Sequence, residues 1–294
     1  MKRLFVTGAA GMVGSYVTDV FKEWELGLSD IVDGSERVDV TEIDAVRRAV
    51  ERARPEVVLH LAAATDVDRC EIEPEWAHRS NAIGTENVAR VCAEVGATLV
   101  YISTSSVFSG EQDEPYVESD ATGPVNAYAK AKLAGECAVR DRLSRYYIVR
   151  AGWMMGGGAR DTKFVGKMAE FVAKGRTPLR AVADMRGTPT YARDLLGAIQ
   201  RLVATEAYGL YHAANEGTCT RYDMALAIRE ALGRPDIVVE AVDSSVFPLP
   251  APRPRSEAIR SLALQRLGLA LRPWRDALHE YVTTELAPRL PRNN

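Results

Sequence analysis

Cysteine and histidine are scarce in this chain, four of each in 294 residues, and neither is grouped. Cys70, Cys92, Cys137 and Cys219 form no CxxC, so neither a zinc site nor a disulfide framework is expected, which suits a reducing compartment. His60, His78, His212 and His279 are equally dispersed, with no HExxH, and no metal site is expected. No apolar run approaches the roughly 20 residues that a membrane helix needs. The opening MKRLFVTGAAG is basic, but its apolar stretch breaks at glycine too soon for a signal peptide. Charge of either sign is nearly balanced at −3, giving no reason to expect nucleic acid or an anionic membrane. These absences lead to the expectation of a soluble, cytoplasmic protein. What is present is globular: 47% hydrophobic and 26% charged residues, enough for one large or two intimately packed domains.

The first half alternates short apolar runs with amphipathic ones. RLFVTG reads as a buried strand, followed by a helical pattern over 13–24. The helical EIDAVRRAVERA leads to the apolar PEVVLHLAA, then come a helix over 74–95, the strand ATLVYIS, a helix over 125–143 and the strand YYIVRAG. Strands without polar alternation, each joined by a helix, predict a parallel sheet covered on both faces, the doubly wound α/β architecture. After about Arg150 the rhythm loosens into helices over 164–174, 192–204 and 222–231 and short strands at GLYHAAN and DIVVEAV. PLPAPRPR excludes helix and central strand. The expected division is a dinucleotide-binding domain over 1–150 and a mainly substrate-binding, smaller lobe over 151–294, with some chain returning to the sheet.

TGAAGMVG sets Gly8, Gly11 and Gly14, with Met12 and Val13 between them, directly after the first strand. Glycines there permit a tight turn and let backbone N–H groups approach a pyrophosphate. A ligand-free glycine turn is the plain alternative, but its place as the first βα turn favours a nucleotide. The form TGxxGxxG resembles the extended short-chain dehydrogenase/reductase superfamily, which binds NAD or NADP at this loop. That resemblance implies an acidic residue at the end of the second strand on the adenosine ribose. Asp30 and Asp33 are both candidates, and the choice between NADH and NADPH stays open. It also places Asp39 and Val40 near adenine, and Leu61, Ala62, Ala63 and Ala64 under the cofactor, although LAAA alone reads rather as core packing.

NAYAKAK carries Tyr128 and Lys132 at i and i+4, one helical face. Such a pair is common by chance, but Thr104 stands at the carboxyl end of the preceding strand, where doubly wound sheets present ligand-facing groups. Ketone reduction needs a proton delivered to oxygen as well as a hydride. A tyrosine hydroxyl can give that proton, a lysine ammonium one turn away favours the phenolate, and a threonine hydroxyl can hold the substrate oxygen. Thr104, Tyr128 and Lys132 are therefore the catalytic candidates, with Lys130 a solvated bystander on another face.

HLAAATDVDRCEIEPEWAHRSNAIGTENVA, YISTSSVFSGEQDEPYVESDATGPVNAYAKAKLAGE, VRAGWMMGGG and RGTPTYARDL together resemble the dTDP-4-dehydrorhamnose reductase family over nearly the whole chain. The resemblance implies NADPH- or NADH-dependent reduction of the C4 ketone of a nucleotide-linked 4-keto-6-deoxysugar. It puts Thr104, Tyr128 and Lys132 on the family's catalytic triad, Trp153 beside the substrate, Asn81 in a shaping role, and implies a homodimer. One departure stands out. Where the family carries aspartate then tyrosine after the threonine, this chain has Ser105 and Ser106, so Ser105 joins Thr104 and Trp153 as a substrate-side candidate and the sugar is left open. A sugar-nucleotide epimerase uses the same triad, and a non-catalytic regulatory subunit resembling the methionine adenosyltransferase β-subunit is the non-enzyme alternative.

Overall fold

A computed structural model describes residues 1–32 and 35–291; the candidate Asp33 lies outside the described residues. Seven parallel strands form the central sheet: β1 (Arg3–Thr7), β2 (Glu25–Asp30), β3 (Glu36–Arg37), β4 (Val57–His60), β5 (Thr98–Thr104), β6 (Tyr146–Ala151) and an edge strand at Gly209–His212. Their spatial order is Gly209–His212, β6, β5, β4, β1, β2, β3. The order reverses between β1 and β4, and a doubly wound sheet opens its ligand crevice at such a reversal.

The unbroken apolar runs follow from this layering. Leu4, Val6, Leu59, Val100 and Val149 feed a core on one face of the sheet. Their strand neighbours Phe5, Val58, Leu99, Tyr101 and Ile148 feed a second core on the other. With both faces covered, these strand positions are apolar at both parities.

Two helices differ from the expected ones. The span 13–24 yields only a 3-10 turn at Gly14–Tyr16 and a single α-turn at Val17–Val20, in a stretch where Val13, Val17, Thr18 and Val20 are all β-branched and stiff. The helix over 74–95 is divided into Pro74–His78, a wide π-turn at Arg79–Ile83 and Gly84–Val95. The π-turn carries Asn81, fully buried, and such turns recur at functional sites.

Short strands organise the remaining chain. Arg186–Gly187 pairs with both Cys219–Thr220 and Ser256–Glu257, in a register that sets Gly187 opposite Cys219 on one side and Glu257 on the other. Trp153–Met155 pairs with Pro189–Tyr191. Three distant segments thereby meet beside the carboxyl end of β5.

Candidate active site

One cleft of about 720 Å³ runs from the glycine loop to this meeting point. Gly8, Gly11, Met12, Val13 and Gly14 line one end with Asp30, Asp39 and Val40; Leu61, Ala62, Ala63 and Ala64 line the floor; Thr104, Ser105, Ser106, Tyr128, Lys132 and Trp153 line the other end. All of these candidates thus face the same space.

The dinucleotide end is shaped by close backbone approach. Gly8 has φ +73°, and a Cβ there would lie 2.5 Å from the Ala62 nitrogen. A Cβ on Gly14 would lie 2.2 Å from the Ala9 oxygen, so neither position accepts a side chain. The Met12 and Val13 N–H groups donate to no backbone or side-chain acceptor among the described residues. Unpaired N–H groups lining a glycine-walled crevice suit a pyrophosphate. Asp30, at the end of β2, accepts from the Ala10 N–H through Oδ2 at 2.9 Å and from the Ile31 N–H through Oδ1 at 2.7 Å. Its carboxylate is therefore fixed at the loop, where an adenosine ribose would sit. Asn81 holds Ala64 by two bonds, accepting from its N–H at 2.8 Å and donating to its carbonyl at 2.9 Å. That is a shaping contact, with no group turned to solvent.

At the other end, the helix Ala127–Arg142 presents Tyr128 and Lys132. Asn126 caps it by accepting from the Ala129 N–H at 2.9 Å, and its amide donates to the Pro252 carbonyl at 3.0 Å, tying the helix start to a remote segment. Lys130 is exposed and outside the cleft. Lys132 is 3% exposed; its Nζ donates to the Ile102 carbonyl at 2.7 Å and lies 4.2 Å from the Tyr101 ring centroid. Burial pushes this ammonium down to about 7, with Glu136 pulling the other way. Burial likewise pushes the Tyr128 phenol up to about 12, opposed by the Thr104 hydroxyl and reinforced by Cys70 and Glu257. The expected lowering of the phenol by Lys132 is thus absent. The lysine turns toward β5, and desolvation of the phenolate wins.

Several participants carry no local sequence signal. Ser103 and Arg150, at the ends of β5 and β6, both donate to the fully buried Glu136: Ser103 Oγ at 2.6 Å, Arg150 Nε at 2.8 Å and Nη2 at 2.7 Å. Glu136 stands one turn beyond Lys132. Thr104 Oγ1 donates to Ser106 Oγ at 3.2 Å, and Ser106 donates in turn to Glu257 Oε1. Glu257 Oε2 accepts from the Trp153 indole N–H at 2.6 Å. The Arg221 guanidinium lies 3.8 Å above the Trp153 ring, and a Cβ on Gly187 would lie 2.2 Å from that ring. Trp153 is therefore a clamped wall with a charge stacked on it. Glu257 and Arg221 lie some 150 and 115 residues from Thr104 in sequence, and the small strands Cys219–Thr220 and Ser256–Glu257, paired on either side of Arg186–Gly187, bring them together.

Residues 1–286 match the family described as RmlD substrate binding domain. The dTDP-4-dehydrorhamnose reductase of Mycolicibacterium smegmatis is 42% identical over 96% of this chain and 85% of its own length. A solved dTDP-4-dehydrorhamnose reductase from Clostridium acetobutylicum superposes with a TM-score of 0.89 at 36% identity, covering 96% of this chain and 98% of that one. The Bacillus anthracis enzyme of that name, solved in complex with NADP, gives 0.89 at 34% identity over 96% and 99% of the two chains.

Proposed function

We infer, from the premise that this chain belongs to the dTDP-4-dehydrorhamnose reductase family, that it is an oxidoreductase using NADPH or NADH to reduce the C4 ketone of a nucleotide-linked 4-keto-6-deoxysugar. The observation that carries the reading is the single cleft in which a glycine-walled loop and the Thr104, Tyr128 and Lys132 side chains face one another. Residues 1–150 would bind mainly the dinucleotide and 151–294 mainly the sugar nucleotide, in the homodimer that the resemblance implies.

When bound, the reduced nicotinamide supplies the hydride. Tyr128 donates its phenolic proton to the carbonyl oxygen as that oxygen becomes an alkoxide. A phenol held at about 12 keeps its proton across the physiological range, which is what an acid in the reductive direction requires. Thr104 swings its hydroxyl from the long 3.2 Å bond to Ser106 onto the same oxygen. Lys132, anchored through one N–H on the Ile102 carbonyl, retains two donors for ribose hydroxyls. Ser105 and Ser106 leave room where the family carries larger side chains, so the sugar accommodated here is set by this pair together with Glu257.

A panel of nucleoside-diphosphate 4-keto-6-deoxysugars tests the reading. One NADPH or NADH should be oxidised per sugar reduced. A cofactor returned unchanged with an inverted sugar carbon would replace the reductase by an epimerase, and no reaction across the panel would remove the enzyme reading. Asp30 makes a separate prediction. A carboxylate at the ribose disfavours a 2′-phosphate, so Asp30→Ala should move the NADPH/NADH ratio of kcat/KM toward NADPH by about tenfold, roughly 1.4 kcal/mol. An unaltered ratio would take Asp30 away from the ribose.

A further inference from the structure

Arg221 is the first residue of the helix Arg221–Ala231, a position where the helix dipole opposes a cation. Its guanidinium lies between aromatic rings, 3.8 Å from the Trp153 centroid and 4.8 Å from that of Phe164. Burial pushes it down to about 10, against the pull of Glu257, Cys219 and Asp161. It is still a cation at neutral pH. Against these costs the protein returns one weak bond: Nη1 to the Met224 sulfur at 3.7 Å. No carboxylate among the described residues forms an ion pair with it, and both oxygens of the nearby Glu257 are taken by Ser106 and Trp153. The residue nevertheless lines the cleft, as does Lys163. Desolvation and the Arg221 charge pull the Lys163 ammonium down, while Asp161 supports it.

A half-buried guanidinium whose remaining N–H donors have no protein acceptor among the described residues, held over two aromatic rings and joined on the cleft lining by Lys163, is suited to receive an anion with paired oxygens. Its place is on the Trp153 side of the cleft, away from the glycine loop. We propose that Arg221 is the anion anchor of the substrate end and takes the diphosphate of the sugar nucleotide. This assignment rests on the nucleotide-sugar reading above. Trp153 then acts by its fixed plane. Glu257 holds its indole N–H and Gly187 lets the backbone approach the ring, and the plane aims the guanidinium.

The test is calorimetric titration of the enzyme saturated with NADPH, using dTDP and thymidine as probes. Arg221→Gln should weaken dTDP binding by about tenfold or more, as expected for losing a charge-assisted pair, and leave thymidine and NADPH affinities unchanged. Arg221→Lys keeps the charge without the fork and should recover part of the loss. In ketosugar turnover the same glutamine variant should raise KM far more than it lowers kcat. Undiminished dTDP binding in Arg221→Gln overturns the proposal. So does an equal loss for dTDP and thymidine, which would mean a collapsed wall, and so does an Arg221→Lys variant no better than glutamine. The reductase reading fails separately: wild-type protein that binds dTDP through Arg221 but oxidises no NADPH with any ketosugar loses its activity assignment and keeps its anion site.

Discussion

Tyr128→Phe is expected to reduce kcat for ketosugar reduction by about a thousandfold, within the roughly 10²–10⁴ that positioned proton donors contribute. The loss corresponds to about 4 kcal/mol of transition-state stabilisation. The substitution removes one oxygen from a side chain that packs with Ala64, Cys70, Ala77 and Ala131, so the ring contacts stay and NADPH affinity should not move. Single-turnover NADPH oxidation separates the chemical step from binding. Lys130→Ala, two residues along the same helix but outside the cleft, should be indistinguishable from wild type in the same assay. Retention of full single-turnover rate by the phenylalanine variant would end Tyr128's role as the acid.

Glu136→Gln should produce the largest loss of stability and also move a pH limb. The carboxylate is buried and receives Ser103 and two nitrogens of Arg150, itself 2% exposed. Arg150 Nη1 already lacks a partner. Removing the countercharge strands a buried guanidinium at a cost of about 3–5 kcal/mol, a fall in Tm on the order of 10 °C for a chain of this size. The double variant Glu136→Leu, Arg150→Met should recover much of that loss, because the cost lies in the unpaired charge. Thermal denaturation of the single and double variants decides it.

The pH effect follows from Lys132, held near 7 by burial against the pull of Glu136. If a charged Lys132 binds ribose, kcat/KM should fall as pH rises through about 7, with Tyr128 still protonated. Glu136→Gln removes the force that holds the ammonium up and should displace that limb to lower pH. A limb that stays in place would show that the two groups are uncoupled. The same depressed lysine acts on stability in the opposite sense. Its folded-state value lies below the unfolded one, so the unfolded chain binds more protons between about 7 and 10.5. Lys132 therefore costs stability below that window, and the cost is relieved as pH rises through it.

Much of the molecule was readable from local pattern. Apolar runs without alternation require a sheet covered on both faces. A glycine loop after the first such run requires close backbone approach, and Gly8 and Gly14 meet backbone atoms where a Cβ would stand. Thr104, Tyr128 and Lys132 were legible because strand ends and helix periodicity are short-range properties, encoded within a few residues of the groups they place. The division of the 74–95 helix at Asn81 was not legible, because a π-turn arises from the pull of a tertiary contact to Ala64 rather than from propensity.

Protonation behaviour and the substrate wall belong to tertiary structure alone. Sequence spacing put Lys132 beside Tyr128 and suggested a lowered phenol. The folded chain turns that ammonium to the Ile102 carbonyl and desolvates the half-buried phenol, and desolvation is a property of everything packed around a residue. Glu257, Arg221, Gly187 and Trp153 are separated by 30 residues or more along the chain and meet through two-residue strand pairings too short to leave a periodic signal. The placing of Tyr128 and Lys132 in one cleft was written in one helical turn. The wall facing them was decided by contacts that no local stretch of sequence contains.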